Sequence, residues 1–152
     1  MYADEQGKIV GKTRLQKMIF LYEKECQNKI NQIREKNLFD FFAHHYGPFS
    51  KDLYKHLKNL KTFGMITIEN ETDSEDENLV EKETEYCITE DGITTVHEEI
   101  FQKERINPFE METLDAFKKE YNSMNLNELI KLVYTKYPEY TKNSKIKEKV
   151  LG

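Results

Sequence analysis

The residues best suited to acid–base or metal chemistry are four histidines and a cluster of carboxylates, and neither set has a catalytic or metal-ligand spacing. His44 and His45 are adjacent, so on a strand their side chains would point to opposite faces. The carboxylates of residues 73–77 lack the glycine and the terminal glutamate of a calcium-binding loop. No phosphate-binding, dinucleotide-binding, nucleophile-elbow or zinc-protease motif is present. We therefore predict no enzymatic activity, no catalytic residue, no metal site and no cofactor.

A row of lysines on one predicted helix is a stronger candidate for a binding site. Ser50 follows Gly47 and Pro48 and has the side chain of a helix N-cap, while Gly64 suits a left-handed C-cap. Between these ends, leucines recur at the spacing of one helical face, at Leu53, Leu57 and Leu60. On the opposite face the sequence places Lys51, Lys55, Lys58 and Thr62.

This lysine face favours contact with the phosphates of a nucleic acid. The candidate nucleic-acid-binding residues are Lys51, Lys55, Lys58, Asn59 and Thr62 on this helix, with Lys12, Arg14 and Lys17 near the first helix. A lysine face is also typical of a solvated surface. Apart from Asn59, the helix lacks the side chains that read base edges, so the pattern favours phosphate contact over sequence readout.

Charge is distributed unevenly along the chain, whose net charge is −5. Residues 1–68 carry 12 basic and 7 acidic residues, residues 69–85 carry 1 and 9, and residues 86–152 carry 10 and 12. The basic N-terminal half is thus followed by a strongly acidic loop. DNA would repel such a loop, which instead suits a partner-facing or DNA-mimicking surface.

A protein interface is the competing hypothesis, because nine Tyr and nine Phe are more than a small core needs. The candidate partner-binding residues are Tyr134, Tyr137 and Tyr140 around Pro138, and Glu75, Asp76 and Glu77 in the acidic loop. Packing of C-terminal helices on the rest of the core is the alternative interpretation of the three tyrosines.

The remaining elements are predicted from periodicity and capping signals. Thr13 and Gln16 have the capping-box spacing at the start of a first helix. Residues 38–46 favour a strand, with a tight turn-helix segment as the alternative. Residues 65–69 and 85–88 favour an antiparallel pair joined by a long loop. Further helices are expected to begin after Thr89, Asn107 and Asn125.

Helix, short strand, loop and return strand in this order predict a mainly α fold with a small β-hairpin (α+β), winged helix-turn-helix-like with a C-terminal helical extension. The expected organisation is a flexible arm over residues 1–12 and a winged-helix-like core over 13–106, with an acidic wing loop over 70–84. A helical extension follows over residues 107–140, and a polar tail over 141–152.

Cys26 and Cys87 lie far apart with no partner motif, which favours two reduced thiols. The apolar runs are too short to span a bilayer, and the N-terminus does not resemble a signal peptide. We therefore expect a cytoplasmic protein that does not bind a membrane.

Several segments together carry a family resemblance: residues 13–21 (TRLQKMIFL), 45–50 (HYGPFS), 64–66 (GMI), 86–89 (YCIT) and 134–140 (YTKYPEY). This set resembles the YwgA-like family of small prokaryotic proteins and, more distantly, the Panacea domain of SocA-like antitoxins, which shares the LQK helix and the YGP turn. The resemblance implies a mostly helical, winged-helix-like fold without catalytic residues. For the Panacea relatives it implies an antitoxin or adaptor that binds a partner protein. The long acidic insertion departs from the usual shorter wing.

Two functions follow as hypotheses. The first is a non-enzymatic winged-helix regulatory protein that contacts DNA through the helix over residues 50–63. The alternative is a protein–protein interaction module, antitoxin- or adaptor-like, whose interface is the acidic loop or the C-terminal aromatic surface and whose partner is toxin- or defence-related. A homodimer is compatible with both.

Overall fold

The computed structural model describes residues 1–2, 7–27, 39–72 and 82–152. Five strands are described: β1 (Lys8–Val10), β2 (Phe42–His44), β3 (Gly47–Phe49), β4 (Ile66–Glu69) and β5 (Glu85–Ile88). The described α-helices are α1 (Lys12–Leu21), α2 (Lys51–Thr62), α3 (Glu90–Val96), α4 (Pro108–Ser123), α5 (Leu126–Lys136) and α6 (Lys147–Leu151). Wider π-helical turns continue α1 over Tyr22–Gln27 and α3 over His97–Phe101, and a 3-10 turn covers Pro138–Thr141. The predicted α+β class is confirmed.

One three-stranded antiparallel sheet contains the predicted hairpin, with strand order β1-β5-β4. Strands β4 and β5 pair as expected, with Ile68 opposite Tyr86. Strand β1 pairs with the other edge of β5 and buries Ile9, which is only 3% exposed. The prediction of a flexible arm over residues 1–12 is therefore wrong for Lys8–Val10, because a short apolar segment can complete a sheet without any periodicity of its own.

The first helix does not begin with the predicted capping box. Helix α1 begins at Lys12 after Gly11, and no side chain caps it. The capping box fails because Gln16 is buried and bonded elsewhere, as described below. The apolar side of α1 is nevertheless deeply buried, with Phe20 and Leu21 both 0% exposed.

Helix α2 has the predicted ends. The Ser50 hydroxyl oxygen accepts a hydrogen bond from the Leu53 N–H at 3.4 Å. Gly64, with φ of 73°, ends the helix, and the Met65 N–H bonds back to the Leu60 carbonyl. Leu53 is buried, but Leu60 is 42% exposed, so the predicted three-leucine stripe is wrong at its last member. Leu60 lies on the last turn, and the apolar face packs only over the turns before it.

Further along the chain, side-chain caps open the helices as expected. The Thr89 hydroxyl accepts from the Gly92 N–H at 3.0 Å, and the Asn107 amide oxygen accepts from the Glu110 N–H at 2.8 Å. Residues 42–44 form a strand, as predicted, and pair with residues 47–49 across a tight turn.

The C-terminal residues pack on the rest of the protein. Thr141 is 0% exposed, and the Lys145 N–H donates to the His45 carbonyl at 2.8 Å. The expected polar tail over residues 141–152 is therefore wrong, since Ile146 and Val150 also pack, partly buried, against the core, and the segment ends in helix α6. Its mostly polar composition concealed this docking.

The carboxylate of Glu25 connects the continuation of α1 to helices α4 and α5. It accepts a hydrogen bond from the Tyr121 hydroxyl at 3.0 Å and an ion-paired hydrogen bond from Lys136 at 2.8 Å. The bond to Glu25 raises the pKa of Lys136 above its ordinary value.

None of the described helices is long and apolar enough to cross a membrane.

Gly47 should not tolerate a side chain in this fold. Its φ is +90°, and a Cβ atom there would lie 2.7 Å from the Tyr134 ring. We expect Gly47→Ala to lower the free energy of unfolding by about 2–4 kcal/mol, because backbone strain and steric overlap add. Urea denaturation followed by circular dichroism measures the loss.

Gly64→Ala is the matched control, because Gly64 also has positive φ, at +73°, but nothing lies within 4 Å of the added Cβ. It should cost only about 1 kcal/mol. Equal losses in the two variants would contradict the tight contact between the turn and Tyr134.

Candidate interaction surfaces

The predicted lysine face of α2 is exposed to solvent. Lys51, Lys55 and Lys58 are all exposed, and within the described residues their ammonium groups have no hydrogen-bond or ion-pair partner. Asn59 is exposed beside them. Thr62 is exposed too, but its hydroxyl donates to the Lys58 carbonyl at 2.9 Å. The geometry therefore leaves three lysine charges open to an anionic partner.

The basic residues of α1 do not extend this face. Lys17 is 2% exposed, and its ammonium donates to the Pro48 carbonyl at 3.2 Å, so the prediction that Lys17 contacts phosphate is wrong. Arg14 is half-buried and donates to the Tyr121 and Met124 carbonyls, at 3.0 and 2.7 Å. Arg14 thereby donates hydrogen bonds to backbone carbonyls at the C-terminal end of α4. The last carbonyls of a helix have no hydrogen-bond partner within the helix itself.

The C-terminal tyrosines form part of the core. Tyr134 is 0% exposed, and its hydroxyl lies 2.7 Å from the Ser144 hydroxyl. Tyr137 and Tyr140 are half-buried and pack edge-on against Phe20, with ring centroids at 5.0 and 4.8 Å. Burial raises the pKa of Tyr134 and of Tyr137. An exposed aromatic anchor is wrong for Tyr134, and the alternative interpretation, packing of the C-terminal helices on the core, holds for this residue.

The other predicted partner-binding residues, Glu75, Asp76 and Glu77, lie outside the described residues.

The histidine pair also differs from expectation. The rings of His44 and His45 lie side by side, with centroids 4.2 Å apart, and His44 stacks on Phe49 at 4.9 Å. The prediction of opposite faces is wrong because the strand ends at His44 and the chain turns at His45. Within residues 1–2, 7–27, 39–72 and 82–152, no group of three or more His, Cys, Asp or Glu side chains is placed to hold a metal ion.

The LQK and YGP segments contact each other in the interior. Gln16 donates from its side-chain amide to the Ser50 carbonyl at 3.1 Å and accepts from the Ser50 N–H at 3.0 Å. Gln16 is 2% exposed and Ser50 is 0% exposed. One side chain of α1 thus pairs with both backbone groups of the residue that caps α2. Sequence reasoning missed this pair, because Gln16 carried no signal beyond its capping-box spacing.

A groove beside the lysine face was also absent from the sequence analysis. It has a cavity volume of about 240 Å³ and is lined by Lys12, Phe49, Tyr54, Leu57, Lys58, Ile68, Glu71, Thr72 and Tyr86. These residues come from α1, β3, α2, β4, β5 and the chain after β4. No local pattern could have predicted the groove, because only the fold brings them together.

Replacing Gln16 should destabilise the protein more than removing the helix cap does. Gln16→Leu leaves the Ser50 N–H and carbonyl buried without their partner, which should cost about 2–4 kcal/mol of unfolding free energy. Ser50→Ala is the control, since it removes only the hydroxyl cap and should cost about 1 kcal/mol. Both are measured by urea denaturation, and a smaller loss for Gln16→Leu than for Ser50→Ala would contradict the importance of this pair.

Comparison with known proteins identifies one family. A family model described as "Antitoxin SocA-like, Panacea domain" matches residues 15–138. No curated protein and no solved structure matches the chain. The resemblance to the YwgA-like family stays a prediction. Because the family model covers the chain from within α1 to beyond the end of α5, including the buried LQK and YGP segments, the chain belongs to the SocA-like Panacea domain family.

Proposed function

We propose that this protein is a non-enzymatic interaction module of the antitoxin type, which binds a partner protein. The observation that carries the proposal is the match to the SocA-like antitoxin Panacea model over residues 15–138. This favours the alternative hypothesis of the sequence analysis over DNA binding through a winged helix.

The surface of α2 supports protein binding on physical grounds. Stable interfaces combine apolar anchors with a charged or polar rim. The groove has apolar side chains in its lining, and Lys58 of α2 lines it as well. Phe63, directly after the same helix, is 74% exposed. Its ring adds apolar area that an interface would bury and that does not stabilise a monomer.

The test begins with the tagged full-length chain, isolated from its host with nuclease present. A stoichiometric partner identified by mass spectrometry would then be purified and mixed with the chain. Light scattering behind size exclusion should show a defined complex, and it also reports whether the free chain is a homodimer. Expression of the partner alone should arrest growth, and co-expression of this chain should restore it. A partner lost on nuclease treatment, or growth unaffected by either protein, would contradict the proposal.

DNA binding is the second candidate, because three lysines on α2 are exposed and unpaired among the described residues. Helix α2 followed by the β4–β5 hairpin has the order of a winged helix, in which such a helix enters the major groove. The net charge of −8 over residues 69–85 opposes this function, because the hairpin loop would approach the phosphates.

A triple substitution of Lys51, Lys55 and Lys58 to Ala separates the two functions. The variant should fold normally, since surface substitutions shift stability by only about 0.5 kcal/mol. Under our proposal wild type binds duplex DNA no better than the non-specific level of about 10⁻⁴–10⁻⁶ M, as measured by electrophoretic shift.

If the lysine face instead serves DNA, wild type binds more tightly than this level. The triple variant then loses affinity, and the slope of log K against log salt falls by about 3. That pair of results would make DNA the better assignment.

A further inference from the structure

A polar pocket lies at the outer edge of β1, on the side of the sheet away from β4. It has a cavity volume of about 220 Å³ and is lined by Lys8, Val10, Arg14, Glu83, Asn122 and Leu126. Each of these six residues is exposed or half-buried, so the pocket is open to small solutes. Its volume lies just below the range of about 300–1,000 Å³ that drug-sized ligands occupy, which suits a smaller molecule.

The backbone of β1 supplies one donor and one acceptor to this pocket. The Gly11 N–H donates to the Thr84 carbonyl at 2.8 Å, so alternate residues of β1 direct their backbone groups toward β5. The backbone groups of Lys8 and Val10 therefore point away from β5, to the outer edge. There the Lys8 carbonyl accepts from the Asn122 side chain at 3.1 Å. The N–H and carbonyl of Val10 have no partner in the described part of the chain.

Arg14 is held in place with one edge of its guanidinium unpaired. Its Nη1 atom donates to the Tyr121 and Met124 carbonyls at 3.0 and 2.7 Å. Its Nε and Nη2 atoms make no hydrogen bond or ion pair with any residue that the structure describes. This edge carries the two parallel N–H donors that bind a carboxylate. Because the side chain is already fixed, little conformational entropy is lost when a ligand binds to it.

Three hydrogen-bond acceptors line the same pocket. The carboxylate of Glu83 is exposed and has no ion pair among the described residues. Asn122 uses its amide nitrogen on β1, which leaves its amide oxygen as a second acceptor. The Val10 carbonyl is the third. An ammonium group has three N–H donors and needs acceptors of this kind, preferably with one of them charged.

The charges around the pocket distinguish between classes of ligand. Two cations, Lys8 and Arg14, line the pocket together with one carboxylate, Glu83. However, Glu83 belongs to the segment 69–85, whose net charge is −8. That segment repels a simple anion, and the two lining cations repel a simple cation. A ligand with both an ammonium and a carboxylate has no net charge and can place each group beside its opposite.

We propose that this pocket binds a free α-amino acid with a small aliphatic side chain. The carboxylate of the ligand bonds to the Nε–Nη2 edge of Arg14 and to the Val10 N–H, and its ammonium bonds to Glu83. Leu126, the first residue of α5, supplies an apolar wall for the side chain. The site is additional to the proposed function and does not rest on it, since none of its lining residues belongs to the lysine face or to the groove beside α2.

Isothermal titration calorimetry of the full-length chain with L-valine tests the pocket. The expected Kd is on the order of 1 mM, as suits a ligand with few non-hydrogen atoms. Isovalerate lacks the ammonium and isobutylamine lacks the carboxylate, so each should bind at least tenfold more weakly. Isovalerate that binds as tightly as L-valine would indicate an anion site and overturn the proposal. No binding of L-alanine, L-valine or L-leucine at concentrations of about 20 mM, well above this Kd, would also overturn it.

Glu83→Gln should weaken binding of L-valine at least tenfold, because the ammonium loses its charged acceptor. Glu69→Gln is the matched control. Glu69 is also exposed and belongs to the same acidic segment, but it does not line the pocket, so its effect should be less than threefold. Equal losses in the two variants would indicate a general effect of charge and would overturn the assignment to this pocket.

Arg14→Lys tests the other end of the ligand. It keeps the positive charge but removes the two parallel donors, and should also weaken binding of L-valine at least tenfold. Unchanged affinity in this variant would contradict the proposal. Because Arg14 also bonds to the end of α4, circular dichroism must first show that the variant is folded, and Glu83→Gln decides the question if it is not. Failure of either experiment leaves the proposed function unaffected, since neither involves the partner protein.

Discussion

The paired hydrogen bonds between the Gln16 side chain and the Ser50 backbone are the contact on which the arrangement of α1 and α2 depends. Ser50 also caps α2, so a single residue connects the start of that helix to the buried face of α1. The Lys17 ammonium donates to the Pro48 carbonyl and so also fixes the turn that precedes Ser50. Because buried donors and acceptors without partners are costly, α2 has little freedom to rotate about its own axis. The direction of its lysine face follows from that constraint.

Local signals were enough to predict much of the fold. The ends of α2 at Ser50 and Gly64, the caps at Thr89 and Asn107, and the β4–β5 hairpin are each determined by residues close together in sequence. Long-range contacts were not predictable in this way. Strand β1 has three residues and no period that marks it, and it forms only because β5 offers an open edge. Errors at α1 and at the C-terminus have the same origin, since Gln16 bonds to Ser50 and the Lys145 N–H bonds to the His45 carbonyl, both far away in sequence.

The candidate binding surface shows the same difference between features set by local signals and features set by long-range contacts. Exposure of Lys51, Lys55 and Lys58 follows from the period of one helix, so the sequence alone indicates it. Burial of Lys17 does not, because a lysine at a helical spacing has the same pattern whether its ammonium reaches solvent or a backbone carbonyl. The two interpretations of Tyr134 stayed open for a related reason: an aromatic residue near a proline suits an exposed anchor as well as a core. The groove could not be predicted from local signals at all, because its lining residues range from Lys12 to Tyr86 along the chain.

The residues that carry the family resemblance and those that line the groove lie in different parts of this molecule. Gln16, Lys17 and Gly47, in the segments that carry the family resemblance, are buried and hold α1, the turn and α2 together. Those residues determine a scaffold and expose nothing to a ligand. Lys58 and Ile68 lie at the surface, where other side chains would leave the Gln16–Ser50 contact intact. A protein built in this way can keep one interior and present different chemistry in the same groove. The family match therefore identifies the scaffold alone and does not determine what its exposed side chains recognise.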